Sequence, residues 1–145
     1  MWSVYTDGSC SPNPGPGGAG VVILRNDKLV AEITHNGGDT TNNRMELYAV
    51  IMALDFLPKD EECIVYTDSN YVKQGLNRWI HGWIKRDWVS SNGKAIKNVD
   101  LWRTLYRKRQ EFPLLTIEWI KAHAGNKWNE RADYLAKSGL DLFQS

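Results

Sequence analysis

The chain has 145 residues, 42% of them hydrophobic and 24% charged, with a formal net charge of +1. That length suits one domain, residues 1–145, able to bury roughly two-thirds of the surface its unfolded chain exposes. Two cysteines, no apolar run of spanning length and no charged-then-apolar leader ahead of Val4 argue against a disulfide scaffold, a membrane helix and a secreted precursor, so a cytoplasmic chain that meets no membrane is expected.

In chain order, Trp2 to Ser9 reads as a first strand, with Val4-Tyr5-Thr6 leading into Asp7. Ser11 to Gly18 holds three prolines and three glycines and reads as a rigid turn without regular structure. Ala19 to Leu24 and Leu29 to Thr34 are β-rich runs joined by Arg25-Asn26-Asp27-Lys28, a hairpin signal that makes the first three strands antiparallel. A capped helix starts at Thr41-Asn42-Asn43, has Leu47, Val50, Ile51 and Leu54 at helical spacing, and ends before Pro58. Ile64 to Thr67 is the fourth strand, Asn70 to Leu76 a short helix, Asn98 to Gln110 a longer one, and Leu114 to Ile120 the fifth strand. A last helix from about Lys127 turns Ala132, Leu135, Ala136 and Leu140 inward. Strands and helices alternating after a β-meander predict an α/β fold with a mixed sheet.

Cys10 and Cys63 stand outside any CxxC or paired-histidine pattern, so buried free thiols are expected. The charge is unevenly divided. Residues 73–109 carry ten basic side chains against Asp87 and Asp100, a local charge of +8, whereas the rest of the chain carries −7. This segregation predicts a basic surface for a polyanion beside an acidic site for cations.

Four short signatures supply that acidic site: Asp7-Gly8-Ser9, Met45-Glu46-Leu47, Thr67-Asp68-Ser69 and Ala132-Asp133-Tyr134. Each places a carboxylate among apolar or small residues. Taken singly, Asp7 and Asp68 read as strand-end or cap residues, and Glu46 and Asp133 as acids in helix first turns, where negative charge is favoured. Taken together they point to a two-metal nuclease site, because an uncompensated buried carboxylate costs several kcal/mol whereas a cluster around divalent cations is stable. Mg²⁺ prefers oxygen ligands, which suits Asp, Glu, Asp, Asp without cysteine.

With Asp7-Gly8-Ser9, the Pro/Gly loop, Thr41-Asn42-Asn43-Arg44-Met45-Glu46-Leu47, Thr67-Asp68-Ser69-Asn70-Tyr71-Val72, His123-Ala124-Gly125 and Asn129-Glu130-Arg131-Ala132-Asp133 in order, the chain resembles type 1 ribonuclease H over essentially its whole length. The resemblance implies a ribonuclease H-like α/β fold, a five-stranded mixed sheet flanked by helices, and an endonuclease that cuts the RNA strand of RNA/DNA hybrids, leaving 5′-phosphate and 3′-hydroxyl ends. A monomer is expected because the chain shows no obvious exposed apolar heptad. The resemblance further implies two Mg²⁺ ions per site, replaceable by Mn²⁺. Asp7 is then the bridging ligand, Glu46 and Asp68 hold the ion nearer the leaving oxygen, and Asp133 holds the ion that activates water. His123, in a glycine-containing loop, corresponds to a residue for proton transfer or product release.

The same resemblance assigns substrate contacts. Asn13, Asn42, Asn43 and Asn70 match positions that touch the hybrid, where small amides can read a 2′-OH, although Asn13 also suits a turn and Asn42 or Asn43 a helix cap. Thr41 and Asn98 correspond to a DNA-phosphate pocket, and Tyr71 and Trp79 to contacts with deoxyribose. The basic, Trp-rich stretch at about 78–98 resembles a substrate-binding protrusion, with Lys85, Arg86, Lys94 and Lys97 facing phosphates and Trp83 packing the protrusion on its own helix. Two positions depart from the family pattern: Asp39, where many relatives carry a basic residue, and Ala122, often a glycine. A metal-free duplex-binding module and an integrase- or resolvase-like nuclease are the other function classes to separate.

Overall fold

The computed structural model describes the backbone of residues 1–144 and the side chains of residues 1–139. Its strands are β1 (Trp2–Cys10), β2 (Gly15–Arg25), β3 (Lys28–Thr40), β4 (Cys63–Thr67) and β5 (Leu115–Trp119), paired in the order β3-β2-β1-β4-β5. The β1/β2 and β2/β3 pairs are antiparallel, and the β1/β4 and β4/β5 pairs are parallel, which is the expected mixed sheet. The β2–β3 hairpin turns at Asn26 and Asp27, with φ of 50° and 64°. Positive φ at both central residues is the type I′ geometry whose twist matches the flanking strands, and Asn and Asp tolerate it.

The Pro/Gly segment departs from the sequence expectation. Only Ser11 to Pro14 is irregular; β2 begins at Gly15, and Gly17 and Gly18 pair with Cys10 and Ser9. Glycine reads as a breaker in isolation, yet here a missing side chain lets a helix lie directly on the strand. β3 likewise runs on past Thr34 to Thr40, accommodated by an irregularity in register between Gly17 and Gly18.

Helix α1 (Asn42–Phe56) and helix α4 (Val99–Arg109) lie on one side of the sheet, and α5 (Lys127–Gln144) covers the other. β2 is buried on both faces: Val21 and Ile23 enter the core under α1, whereas Val22 and Leu24 meet Ala132 and Leu135 of α5. Each such fully buried aliphatic side chain contributes about 1.5–3 kcal/mol. Ala136 is buried as expected, and Leu140 lies outside the described side chains.

The expected short helix at Asn70–Leu76 is longer and less regular than its sequence suggests. α2 (Asn70–Gln74) passes through a π-helical turn, Gly75–Trp79, into α3 (Ile80–Lys85). The indole of Trp102, fully buried on α4, occupies the space that a Cβ on Gly75 would need. Cys10 and Cys63 are buried free thiols, and burial pushes both above the ordinary thiol range, away from the reactive thiolate. Among the described residues, no helix is long and apolar enough to cross a membrane.

Candidate active site

Parallel pairing of β1 with β4 brings Thr6 opposite Thr67, so the residues that follow, Asp7 within β1 and Asp68 just past the end of β4, lie side by side. Two glycines bring in the helices. A Cβ on Gly8 would fall onto backbone atoms of Met45 and Glu46, so α1 packs against the end of β1 and Glu46 stands over it. On the opposite face, Gly20 pairs with Asp7, and its Cβ would meet the backbone of Ala132 and Ala136. α5 therefore rests on β2 there, with Asp133 beside Asp7.

Ligand oxygens of Asp7, Glu46 and Asp68 all lie within 4.8 Å of one another. Asp133 stands beside this set, close enough to Asp7 for each carboxyl group to shift the protonation of the other. The ordinary explanation by helix dipole fails for both helical acids: α1 has no acid in its first turn, and the first-turn acid of α5 is Glu130. Glu46 and Asp133 stand farther along, where the terminal field has decayed.

The cluster has an electrostatic cost in the absence of cations. Asp7 is 7% exposed, and burial, followed by the charge of Asp68 and the contact with Asp133, pushes its carboxyl up to about 9. Burial also raises Glu46 to about 7, against a stabilising hydrogen bond with Ser69, and Asp68 adds repulsion. Burial works on Asp133 in the same direction, but hydrogen bonds with Asp7 and Lys137 and the charges of Lys137 and His123 hold it below the ordinary carboxylate range. A proton on Asp7 thus relieves repulsion. Among the described residues, the only base that forms an ion pair with the cluster is Lys137, 3.0 Å from Asp133. Oxygen donors this close, without a facing cation on Asp7, Glu46 or Asp68, fit hard divalent metal.

Three supporting side chains were not singled out by sequence. Asn129, 3% exposed, donates from Nδ2 to Oδ2 of Asp68 at 3.2 Å. The Trp119 indole N–H donates to the Asp68 carbonyl at 3.1 Å, and Ser69, which contacts Glu46, also caps α2 by accepting from Val72 N at 3.1 Å. Asn129 had a signal: it stands four residues before Asp133, hence on the same face of one helix.

His123 is exposed, with φ of 54°, in the loop before α5, and its charge reaches Asp133. Asn126 caps that helix, accepting from the backbone of Trp128 and Asn129. At the other end of the site Thr41, rather than Asn42 or Asn43, is the cap of α1, accepting from Arg44 N at 3.2 Å. Asn13 assists by accepting from Asn42 N at 3.2 Å, so its amide is engaged structurally. Asn42 and Asn43 are half-buried and Asn70 is exposed.

Arg44 links the two halves of the expected phosphate pocket: its backbone binds Thr41 and its guanidinium reaches Oδ1 of Asn98 at 3.3 Å while pairing with Asp100 at 2.7 Å. Asn98 and Trp102 both donate to the Tyr71 hydroxyl, at 3.1 and 2.9 Å. Tyr71 tilts against Trp79, which is 40% exposed, and both line a cleft of about 340 Å³ with Lys94 and Lys97. Trp83 packs on Trp102 as expected for a structural residue, and Lys85 and Arg86 are exposed at the end of the same helical run. Asp39 is exposed near Thr41, lining a separate cleft with Pro14 and Gly15.

A family model described as RNase H matches residues 1–141. The ribonuclease H of Agrobacterium fabrum is 49% identical over 141 residues, which cover 97% of this chain and 95% of that one, and the ribonuclease H of Rhizobium etli is 48% identical over 141 residues, covering 97% and 92%. Among solved structures, LC9-RNase H1, a type 1 RNase H with the type 2 active-site motif, superposes with a TM-score of 0.82 at 32% identity, covering 97% of this chain and 72% of that one. LC11-RNase H1, solved in complex with an RNA/DNA hybrid, superposes with a TM-score of 0.78 at 27% identity and full coverage of both chains, 100% each.

Proposed function

The chain belongs to the type 1 ribonuclease H family of endoribonucleases, and from that membership we propose that it hydrolyses the RNA strand of RNA/DNA hybrids, leaving 5′-phosphate and 3′-hydroxyl ends. The observation that carries this reading is the convergence of Asp7, Glu46 and Asp68 within 4.8 Å. A metal-free binding module would gain nothing from carboxylates that repel one another and a polyanion alike. Two Mg²⁺ ions, or Mn²⁺ in their place, supply when bound an activated water and relief of charge on the leaving oxygen.

Asp7, central and deepest, bridges the two halves of the ligand set, with Glu46 and Asp68 on one side and Asp133 on the other. Asn129 and Trp119 hold the orientation of Asp68, and Lys137 holds Asp133. His123, free in its loop and close enough to influence Asp133, carries a proton or helps the product depart. Asn42, Asn43 and Asn70 read the 2′-OH groups of the RNA strand, since capping of α1 falls to Thr41 and Asn13. Thr41 and Asn98, tied together through Arg44, take a DNA phosphate, and Tyr71 and Trp79 present ring surface to deoxyribose. The whole chain acts as one cytoplasmic, monomeric domain, and its protrusion at about 78–98 supplies Lys85, Arg86, Lys94 and Lys97 to the phosphates.

A strand-labelled hybrid, duplex DNA and duplex RNA, each with Mg²⁺ or EDTA, test the proposal. Cleavage confined to the RNA strand of the hybrid, and only with metal, is expected. Metal-independent binding without cleavage would return the protein to the class of binding modules, and cutting of duplex DNA would place it with the integrase-like nucleases.

A further inference from the structure

α4 buries Trp102 and Leu105 and turns its opposite side to solvent. On that outer side Arg103 and Arg107 stand at i and i+4, and with Thr104, Tyr106 and Trp88 they line a cleft of about 210 Å³. The Arg103 guanidinium lies 5.6 Å from the centre of the Trp88 ring, which in turn packs edge-on against Tyr106 at 5.7 Å. Thr104 spends its hydroxyl proton on the Asp100 carbonyl at 2.9 Å, so the charged donors of the cleft are the two guanidinium groups.

Neither arginine forms an ion pair among the described residues, although Arg44, Lys59, Lys108 and Arg131 all do. Favourable interaction with the C-terminal end of the helix accounts for Arg107, Lys108 and Arg109 in the last turn. It does not account for Arg103 in mid-helix, where a like charge four residues away is unfavourable. Two planar forks, one held in place against an indole, match the tetrahedral oxygens of a phosphodiester.

The cleft is also placed for a strand that the proposed site already holds. The rings Trp79, Trp83, Trp88 and Tyr106 follow one another at 6.1, 6.5 and 5.7 Å, so the cleft lies within about 18 Å of Trp79, the rise of about five nucleotides at ~3.4 Å each. We propose that Trp88, Arg103 and Arg107 form a second phosphate seat, which grips the nucleic-acid backbone where it continues beyond the contacts at Tyr71, Trp79 and Asn98. This inference rests on the hybrid-cleaving function proposed above. The ligand chemistry is the phosphodiester, offered either by extended duplex or by a single-stranded overhang.

The test compares wild type with the Arg103→Gln/Arg107→Gln variant on a short hybrid core and on the same core extended at either end by about ten nucleotides of duplex or of single strand. Binding is read by anisotropy in EDTA across a salt series, and cleavage of the short core is read with Mg²⁺. On at least one extended ligand the variant should bind on the order of 10-fold more weakly, with a log–log salt slope lower by about 2, one unit for each phosphate left without its arginine. Which extension binds more weakly identifies the source of the phosphate. Affinity for the short core, its cleavage and the thermal midpoint should stay within about 2-fold or a degree of wild type. Equal weakening on short and extended ligands, or none on any, would overturn the second seat while leaving the enzymatic reading intact. Failure of wild type to cleave the short core would instead remove that reading and the seat that depends on it. A parallel Arg103→Lys/Arg107→Lys variant keeps the charge without the fork, and it should retain the salt slope but lose part of the affinity.

Discussion

At the level of single residues, the site is a balance between like charges that share one small volume. Raised carboxyl groups stabilise the fold only while protonated: the contribution of Asp7 is complete below its ordinary value of 3.8 and is lost as pH rises through about 9, and that of Glu46 is lost through about 7. Metal-free protein should therefore lose stability between about pH 5 and about pH 9. Asp7→Asn removes the larger part of that slope. At about pH 8 the variant should be more stable than metal-free wild type, by about 1–3 kcal/mol in urea titrations with EDTA, and it should show no Mg²⁺-dependent cleavage. A variant no more stable than wild type at that pH, or one with near-normal turnover, would remove Asp7 from the centre of the cluster. The four acids were legible because each occupies its own signature in the chain. The coupling of Asp7 to Asp133 was not, since it depends on approach of groups more than a hundred residues apart. Asn129 passed as an ordinary helical amide for the same reason: its partner, Asp68, is 61 residues away.

Elements with strong local rules were read well. The Asn26-Asp27 turn dictates its own geometry, whereas the parallel pairing of β1 with β4, which brings Asp7 beside Asp68, joins strands far apart in the chain and has no local signal. Where glycine serves packing, local reading failed: Gly17 and Gly18 belong to a strand, and Gly75 opens a π turn with Trp102 filling the space of its missing side chain. The same property fixes where the helices lie. Gly20→Ala would drive a methyl group into the backbone of Ala132 and Ala136, and relief requires α5 to move away from β2. Overpacking of this kind costs about 1–3 kcal/mol, so the thermal midpoint should fall by several degrees. Because Asp133 rides on the displaced helix, turnover should fall by on the order of tenfold or more while the hybrid still binds. Unchanged turnover in a destabilised variant would show that Asp133 keeps its place independently of this packing.

Across the whole molecule, four acids meet where β1 and β4 approach α1 and α5, and ten bases lie in residues 73–109, between β4 and β5. The acidic site repels the same polyanion it must cut, so affinity has to come from elsewhere. Lys85, Arg86, Lys94 and Lys97 are exposed on the segment proposed as a protrusion, and two of them, Lys94 and Lys97, share the cleft of Trp79 and Tyr71. Replacing all four with alanine should weaken hybrid binding and reduce its salt dependence by roughly one log–log unit for each phosphate no longer neutralised. These side chains lie outside the carboxylate cluster and hold substrate and transition state alike, so KM should rise while turnover at saturating hybrid falls much less. Measuring kcat and KM separately at two salt concentrations distinguishes the cases. A fall in kcat with KM unchanged would mean that the protrusion shapes the reacting geometry rather than supplying affinity. An unchanged salt slope with unchanged KM would mean that it is a solvated face, and the asparagines at the start of α1, with the Thr41 and Asn98 pocket, would then have to carry hybrid recognition against the field of four carboxylates.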